Sequence, residues 1–403
     1  MTFKKIILFL HRWLGLISGL VVFIVAFTGC LFSFQKELSE SIWKEKYYVK
    51  PQQQSLPLSA LMQRAQNALG KNQPIENIEV RKEKDRAWEF MTYKTNDTAA
   101  TYFGAVEYFR SAFINPYTGE VTGIRDYKYD FFNIVKYLHW SLLLNTKYGQ
   151  PIVGYSTLIF VILLITGIIL WFPKKWNRAT KQQAFSIKWK ARFKRLNYDL
   201  HNVLGFYSLI IALILALTGM VFSFQWFSGL VYAAASGTTS YPQQKIIVSG
   251  STKNHTEENA LDKAFQSASS SFQNAKRIGI SPAEGKEGTI HFYGYYGKEI
   301  YYGADELQYD QYSGELLSRR NYSEKNRGEK LIEMNYDIHV GAIGGITGKI
   351  IAFIASLICA SLPITGFYIW WGKRKKKPLQ KRNMKINDSK NQISMQKTES
   401  INI

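Results

Sequence analysis

The chain alternates long apolar runs with long polar segments. Four runs of roughly 20 residues or more are largely apolar, which is the length an α-helix needs to cross the hydrocarbon core of a bilayer. They cover residues 13–34, 152–172, 203–227 and 350–371. The pattern therefore predicts an α-helical membrane protein whose spans form a four-helix transmembrane bundle.

The polar segments that follow the first and third spans carry the patterns of small α+β domains. In each segment an amphipathic helical stretch precedes extended runs, and a Tyr-Thr-Gly-Glu or Tyr-Ser-Gly-Glu turn follows. Because the order is the same, we predict one α+β fold for both. The helical stretches are 58–69 and 257–272, and the extended runs are 75–80, 88–93, 102–114, 277–280, 289–295 and 306–312.

The positive charge of the chain is clustered beside the apolar runs. The 403 residues carry a net charge of +21, and residues 174–195 are rich in Lys and Arg and contain no acid. Because basic loops stay in the cytoplasm, we predict cytoplasmic N- and C-termini and place both polar segments outside. This indicates a multi-pass protein of a bacterial inner (cytoplasmic) membrane that contacts membrane lipid and no nucleic acid.

The two halves of the chain repeat each other. In each half a histidine opens the first span, a Thr-Gly pair lies near its far end at the same spacing, and a second histidine and Thr-Gly pair recur around the second span. Such a tandem repeat predicts a pseudo-two-fold axis near the membrane normal. Small residues let helices approach closely in lipid, so the Thr-Gly pairs are predicted to pack helices. The matched positions are His11 and His201, Thr28-Gly29 and Thr218-Gly219, His139 and His339, and Thr166-Gly167 and Thr365-Gly366.

Spans, repeat and charge together predict eight segments. They are a first transmembrane helix at 1–35, an extracytoplasmic domain at 36–130, an interfacial segment and second transmembrane helix at 131–173, a basic cytoplasmic loop at 174–198, a third transmembrane helix at 199–227, a second extracytoplasmic domain at 228–335, an interfacial segment and fourth transmembrane helix at 336–373, and a basic cytoplasmic tail at 374–403. The tail is polar and is predicted to be disordered.

Four of the six histidines lie at or near the ends of spans. His11 and His201 open outward-going helices near the cytoplasmic face, whereas His139 and His339 precede inward-going helices near the opposite face. At about 1.5 Å per residue, the two levels are roughly 20–30 Å apart. The pseudo-two-fold axis can place the two members of each level opposite each other.

Two facing imidazoles at each level are the arrangement for two bis-histidine haem b groups, because neutral imidazole is a good iron ligand. A zinc site would need three or four ligands at one level, and a proton relay would need acids or histidines at intermediate depth. The spans offer neither. His255 and His291 have no repeat counterparts and are predicted to be ordinary domain residues. The predicted haem-iron ligands are His11, His139, His201 and His339.

The motifs resemble those of the PepSY-associated transmembrane family, over nearly the whole chain from His11 to about Lys377. They are His11-Arg12-Trp13-Leu14-Gly15-Leu16, the Thr-Gly pair of each span, Asn115-Pro116-Tyr117-Thr118-Gly119-Glu120, and the Trp-Phe-Pro and Trp-Trp endings of the second and fourth spans. The resemblance implies PepSY-like extracytoplasmic domains, haem on the four histidines, and a role in iron uptake. Some members are haem-containing enzymes that reduce ferric siderophores in the periplasm.

The resemblance thus implies a di-haem ferric-siderophore reductase that transfers electrons across the membrane. Some relatives carry a flavoprotein reductase module after the second span, but here only the basic loop follows, with no dinucleotide-binding fingerprint. The expected electron donor is therefore a quinol or a separate reductase. One alternative is a haem-free PepSY regulatory or scaffold protein that binds a peptide or protease. A transporter is the other, which the lack of acids in the spans disfavours.

Overall fold

The structure is a computed structural model that describes residues 2–243, 245–250, 259–297 and 300–374. Within these ranges, four helical segments are long and apolar enough to cross a membrane: Phe3–Phe32, Thr146–Trp171, Phe193–Ser223 and Ala342–Gly372. The prediction of four spans is therefore confirmed. The predicted tail from residue 375 onward and His255 lie outside the described residues.

The helices alternate between short connecting pieces and the long spans. In chain order they are α1 (Phe3–Phe32), α2 (Gln35–Ile42), α3 (Lys44–Tyr47), α4 (Leu58–Leu69), α5 (Tyr102–Ala105), α6 (Phe131–Ser141), α7 (Thr146–Trp171), α8 (Arg178–Phe185), α9 (Phe193–Asp199), α10 (Gly205–Ser223), α11 (Gln225–Ser236), α12 (Ala260–Ser271), α13 (Arg327–His339) and α14 (Gly345–Arg374). A π-helical turn, Leu200–Leu204, joins α9 to α10.

The long helices α1, α7, α10 and α14 pack into a four-helix bundle. Both α1 and α10 pack against α7 and against α14, so α1 and α10 occupy opposite corners. The short helices α6 and α13, which precede α7 and α14, lie against α1 and α10 respectively. Each half of the chain therefore brings a short histidine-bearing helix to the side of its own first span.

The strands belong to one antiparallel sheet. They are β1 (Asn77–Arg81), β2 (Trp88–Thr95), β3 (Val106–Ile114), β4 (Val121–Asp126), β5 (Arg277–Ser281), β6 (Thr289–Tyr295), β7 (Asp305–Asp310) and β8 (Leu316–Arg320). Their order in the sheet is β4-β3-β2-β1-β5-β6-β7-β8. The seam between the two polar segments is the β1–β5 pair, where Ile78 lies opposite Ile280 and Arg81 opposite Arg277.

The hydrophobic core of the sheet is continuous across this seam. Alternate residues such as Ile78, Phe90, Ile280 and Phe292 are fully buried on the face that packs against α4 and α12. The two segments, predicted as two domains, thus share one sheet and one hydrophobic core, and we call them together the sheet domain. Pairing β1 with β5 satisfies backbone groups that would otherwise form an exposed edge in each half.

The bundle has two distinct ends. We call the end next to the sheet domain the sheet end, and the opposite end, which carries residues 174–195, the basic end. α1 and α10 start at the basic end and finish at the sheet end, while α7 and α14 run the other way.

Candidate functional site

The four histidines form two pairs, one at each end of the bundle. The ring centroids of His11 and His201 are 6.4 Å apart with an interplanar angle of 89°. Those of His139 and His339 are 6.0 Å apart with an angle of 64°. The structure thus brings together the two histidines at each level that the repeat equates. His11 contacts the basic-end part of α7, and His139 contacts the sheet-end part of α1, so the two pairs are separated.

Each histidine ring lies against a glycine of another helix. A methyl group in place of the glycine hydrogen would lie 3.3–3.6 Å from the ring's Cε1 atom, which is ordinary contact in three cases and slightly tighter at Gly366. Each ring therefore packs closely on the backbone of the helix that carries the glycine. The contacts are Gly167 with His11, Gly29 with His139, Gly366 with His201, and Gly219 with His339.

The threonine before each glycine holds the same ring through its Nδ1 atom. The Nδ1–Oγ1 distance is 2.9 Å for Thr166 with His11, Thr365 with His201 and Thr218 with His339. It is 3.3 Å for Thr28 with His139, whose Nδ1 also lies 2.8 Å from the carbonyl oxygen of Val25. Each Thr-Gly pair, predicted from sequence as a helix-packing motif, is therefore a seat for one histidine.

The hydrogen-bond pattern assigns the proton on each ring. Each threonine hydroxyl donates its single hydrogen to the carbonyl four residues earlier in its own helix, as Thr218 does to Ile214 at 2.7 Å. Its oxygen is then left to accept from the imidazole, and the Val25 carbonyl can only accept. Nδ1 therefore carries the hydrogen, so in the neutral ring the lone pair is on Nε2, which is the form of histidine that binds metals.

A second motif supports the two histidines of the second half. Asn197-Tyr198-Asp199-Leu200-His201 matches Asn335-Tyr336-Asp337-Ile338-His339. The side chains of Asn197 and Asn335 are buried and donate to the backbone carbonyls of Thr365 and Thr218, at 3.0 and 3.1 Å. Each asparagine thus ties its histidine's helix to the helix that provides the seat. The recurring five-residue pattern is a signal that sequence analysis could have found.

The aspartates of this motif bind neighbouring segments to the helical segments that carry His201 and His339. Asp337 is fully buried and accepts from the backbone N–H groups of Tyr301 and Tyr302 in the sheet domain, at 2.9 and 3.1 Å. Burial raises the pKa of this carboxyl. Asp199, also fully buried, accepts from the N–H of Lys188 and pairs with Arg195. One aspartate therefore fixes the sheet domain on the bundle, and the other fixes the basic segment.

A cavity of about 590 Å³ opens beside the sheet-end pair. Its walls come from all four long helices and are mostly apolar, and His139 and His339 both line it. Lys136 and Tyr137 of α6 and Tyr336 of α13 add polar groups. The volume lies within the range of roughly 300–1,000 Å³ that is typical of small-molecule and cofactor sites.

Other parts of the described structure add no further metal ligands to these pairs. No three His, Cys, Asp or Glu side chains gather as a metal site within the described residues. Residue His291 lies on β6 in the sheet domain, where it contacts Thr289 at 2.9 Å. Each pair can therefore offer two neutral imidazoles to one metal centre, a set suited to axial ligation in a planar cofactor and not to tetrahedral zinc.

Comparison with known protein families gives a match over most of the chain. The family model described as the PepSY-associated TM region matches residues 8–373, a range that includes all four paired histidines and their seats. No curated protein matches the chain.

Proposed function

Since the chain belongs to the PepSY-associated transmembrane family and is a multi-pass membrane protein, we propose that it transfers electrons across the membrane through two bis-histidine haem b groups. The observation that carries this proposal is the pair of adjacent histidine rings at each end of the bundle, with centroids 6.4 and 6.0 Å apart. His11 and His201 would ligate one haem iron, and His139 and His339 the other.

The spacing of the rings fits this cofactor. If the Nε2 atoms of both rings bound one metal in line at about 2.0 Å, with each nitrogen about 1.2 Å from its ring centroid, the centroids would be about 6.4 Å apart. The separations of 6.4 and 6.0 Å match this value. At the sheet end, the apolar cavity of about 590 Å³ supplies room for a large planar ligand beside the pair.

The chain's own residues would position and tune the site. A haem iron supplies one-electron transfer when it is bound, and its potential depends on the axial ligands and their hydrogen bonds. The threonine seats hold Nδ1 of each imidazole, which would leave Nε2 for the iron and increase its basicity as a ligand. The apolar helices would limit the access of water to the rings.

For the substrate we propose ferric iron held in a siderophore complex outside the cytoplasm. The family resemblance supports this choice, and the basic segment 174–195 supports an orientation with the sheet domain outside. One electron converts Fe(III) to Fe(II), which hard oxygen chelators hold less tightly. The electron would come from a quinol or a separate reductase at the basic end.

The test is the haem content of the purified chain and its histidine variants. We expect about two b-type haems per chain, both low-spin when oxidised. His11→Ala or His201→Ala should each remove the basic-end haem and keep the other, and His139→Ala or His339→Ala should do the reverse. His291→Ala is the matched control and should keep both.

Two results would contradict parts of the proposal. If His11→Ala and His201→Ala removed different haems, the pairing would be wrong although haem binding would stand. If protein expressed with sufficient iron and haem showed no Soret band, the proposal would fail, and a haem-free scaffold that binds a peptide or protease would be favoured. With haem present, the expected functional result is loss of ferric-siderophore reduction in each variant of His11, His139, His201 and His339, and its retention in His291→Ala.

A further inference from the structure

The cavity at the sheet end contains a lysine placed beside one of the paired histidines. Lys136 precedes His139 by three residues in α6, so both side chains leave the same face of that helix. Both line the cavity, whose other walls are mostly apolar. Among the described residues that line it, none is an acid.

Among the described residues, the half-buried Lys136 has no anionic partner, whereas the buried Lys325 and Lys349 each have one. Lys325, of which 3% of the side chain is exposed, pairs with Glu306 and Glu333, and Lys349 pairs with Glu37 at 2.6 Å. In the part of the chain that the structure describes, no carboxylate or carbonyl accepts from Lys136. Its Nζ atom lies 5.7 Å from the ring centroid of Phe109 and 5.0 Å from that of Tyr137.

A half-buried ammonium group without an anion is unfavourable, so its partner is expected to arrive with a ligand. That ligand must be largely apolar to match the cavity walls, must reach His139, and must carry an anionic group at its edge. Haem b has this form, because its macrocycle is apolar and its two propionates lie along one edge.

We infer that Lys136 is the counter-ion for a propionate carboxylate of the haem at the sheet end, an inference that rests on the proposed function. The equivalent positions before the other three histidines hold Leu8, Tyr198 and Tyr336, none of them charged. A charged residue at this position is therefore present at the sheet-end site and absent from the other three positions. It would fix the direction in which the carboxylate edge points and raise the potential of that haem relative to the same haem without it.

The experiment compares haemin with its dimethyl ester, which has no carboxylate. Membranes from cells grown without haem are titrated by the Soret band in a His201→Ala background, which leaves the sheet-end site. We expect Lys136→Met to weaken haemin binding about tenfold, as for loss of a close charge pair, and to leave ester binding unchanged. Lys136→Arg should restore haemin binding. Lys147→Met is the matched control, because that exposed lysine lies at the same end and outside the cavity lining.

Potentiometry of the chain with its histidines intact gives an independent measurement. Removing the ammonium favours the oxidised iron, so Lys136→Met should lower the midpoint of one of the two haems. A tenfold change in the ratio of oxidised to reduced haem is 59 mV for one electron.

Three results would overturn the inference. An equal loss of haemin and ester binding in Lys136→Met would show that the lysine only shapes the fold. Unchanged haemin binding together with unchanged midpoints would show that no carboxylate contacts it. Absence of a Soret band in the parent chain would remove both this inference and the proposed function, whereas the first two results leave the proposed function intact.

Discussion

The Nδ1 atom of His339 lies 2.9 Å from the hydroxyl oxygen of Thr218, a residue 121 positions earlier in the chain. The relationship is reciprocal within each half. The histidine before α14 is seated on α10, and His201 before α10 is seated on α14; in the first half α1 and α7 exchange the same contacts. The seats thus hold each half together, while each histidine pair joins one half to the other.

Removing a seat hydroxyl should loosen the ring that it holds. Thr218→Val keeps the shape of the side chain but leaves the Nδ1–H of His339 without its hydroxyl acceptor. We expect a loss of about 1–2 kcal/mol in the free energy of unfolding of the cofactor-free protein. Nitrogen-15 NMR of the imidazole should also show a mixture of tautomers.

The geometry ranks the four threonine variants. Thr28→Val should have the smallest effect, because Thr28 is 3.3 Å from His139 and the Val25 carbonyl already accepts from that ring. Thr157→Val is the control, since the Thr157 hydroxyl donates to the Val153 carbonyl of its own helix and, among the described residues, contacts no histidine Nδ1. Equal effects for all five variants would mean that the seats contribute only general packing.

The sequence predicts the spans and the paired histidines because each depends on local pattern or on the repeat. It does not predict the β1–β5 seam, where contacts such as Arg277 with Glu79 join residues 198 positions apart. Nor does it predict that the Thr-Gly pairs contact histidine rings, because a glycine beside a neighbouring helix and one beside a ring have the same local pattern. The Asn-Tyr-Asp motif is not part of the tandem repeat, because it links His201 with His339, which the repeat does not equate.

Gly149, near the start of α7, packs against the end of α6, the helix that carries His139. A methyl group on Gly149 would lie 1.9 Å from the backbone oxygen of Ser141, and neither backbone can move without displacing α6. We expect Gly149→Ala to lower the free energy of unfolding by about 2–3 kcal/mol. Gly229→Ala is the control, because a methyl group there meets open space within a helix and should be neutral or stabilising. Thermal unfolding in detergent compares the two variants. Equal stability of Gly149→Ala and Gly229→Ala would show that α6 and α7 can separate enough to accommodate the methyl group without cost.

The orientation of the bundle can be tested by reporter fusions. Because the basic end carries the acid-free segment 174–195, a reporter at Asn177 should indicate the cytoplasm. Reporters at Asn72 and Asn259, both in the sheet domain, should indicate the opposite side. A cytoplasmic signal at Asn72 together with an external signal at Asn177 would reverse the proposed direction of electron transfer.

Lys136 should make the stability of the cofactor-free protein depend on alkaline pH. Burial lowers the pKa of its ammonium to about 8, whereas an unfolded chain gives a lysine pKa of about 10.4. The unfolded state therefore binds this proton more tightly, so stability rises as pH increases from about 8 toward 10.4 and is lost again as pH falls through 8.

Comparison with Lys136→Met isolates this contribution from all other titrating groups. The difference in unfolding free energy between the parent chain and the variant should shift in favour of the parent by about 1–3 kcal/mol across that window. Lys147 is an exposed lysine on the first turn of α7, so for Lys147→Met the difference in unfolding free energy from the parent should not change with pH across that window. When the cavity is occupied by haemin, a propionate beside the ammonium should raise its pKa, and the alkaline rise should disappear. Persistence of the rise with haemin bound, but not with its dimethyl ester, would contradict the placement of the carboxylate, because the charge would then respond to the ligand in the wrong sense.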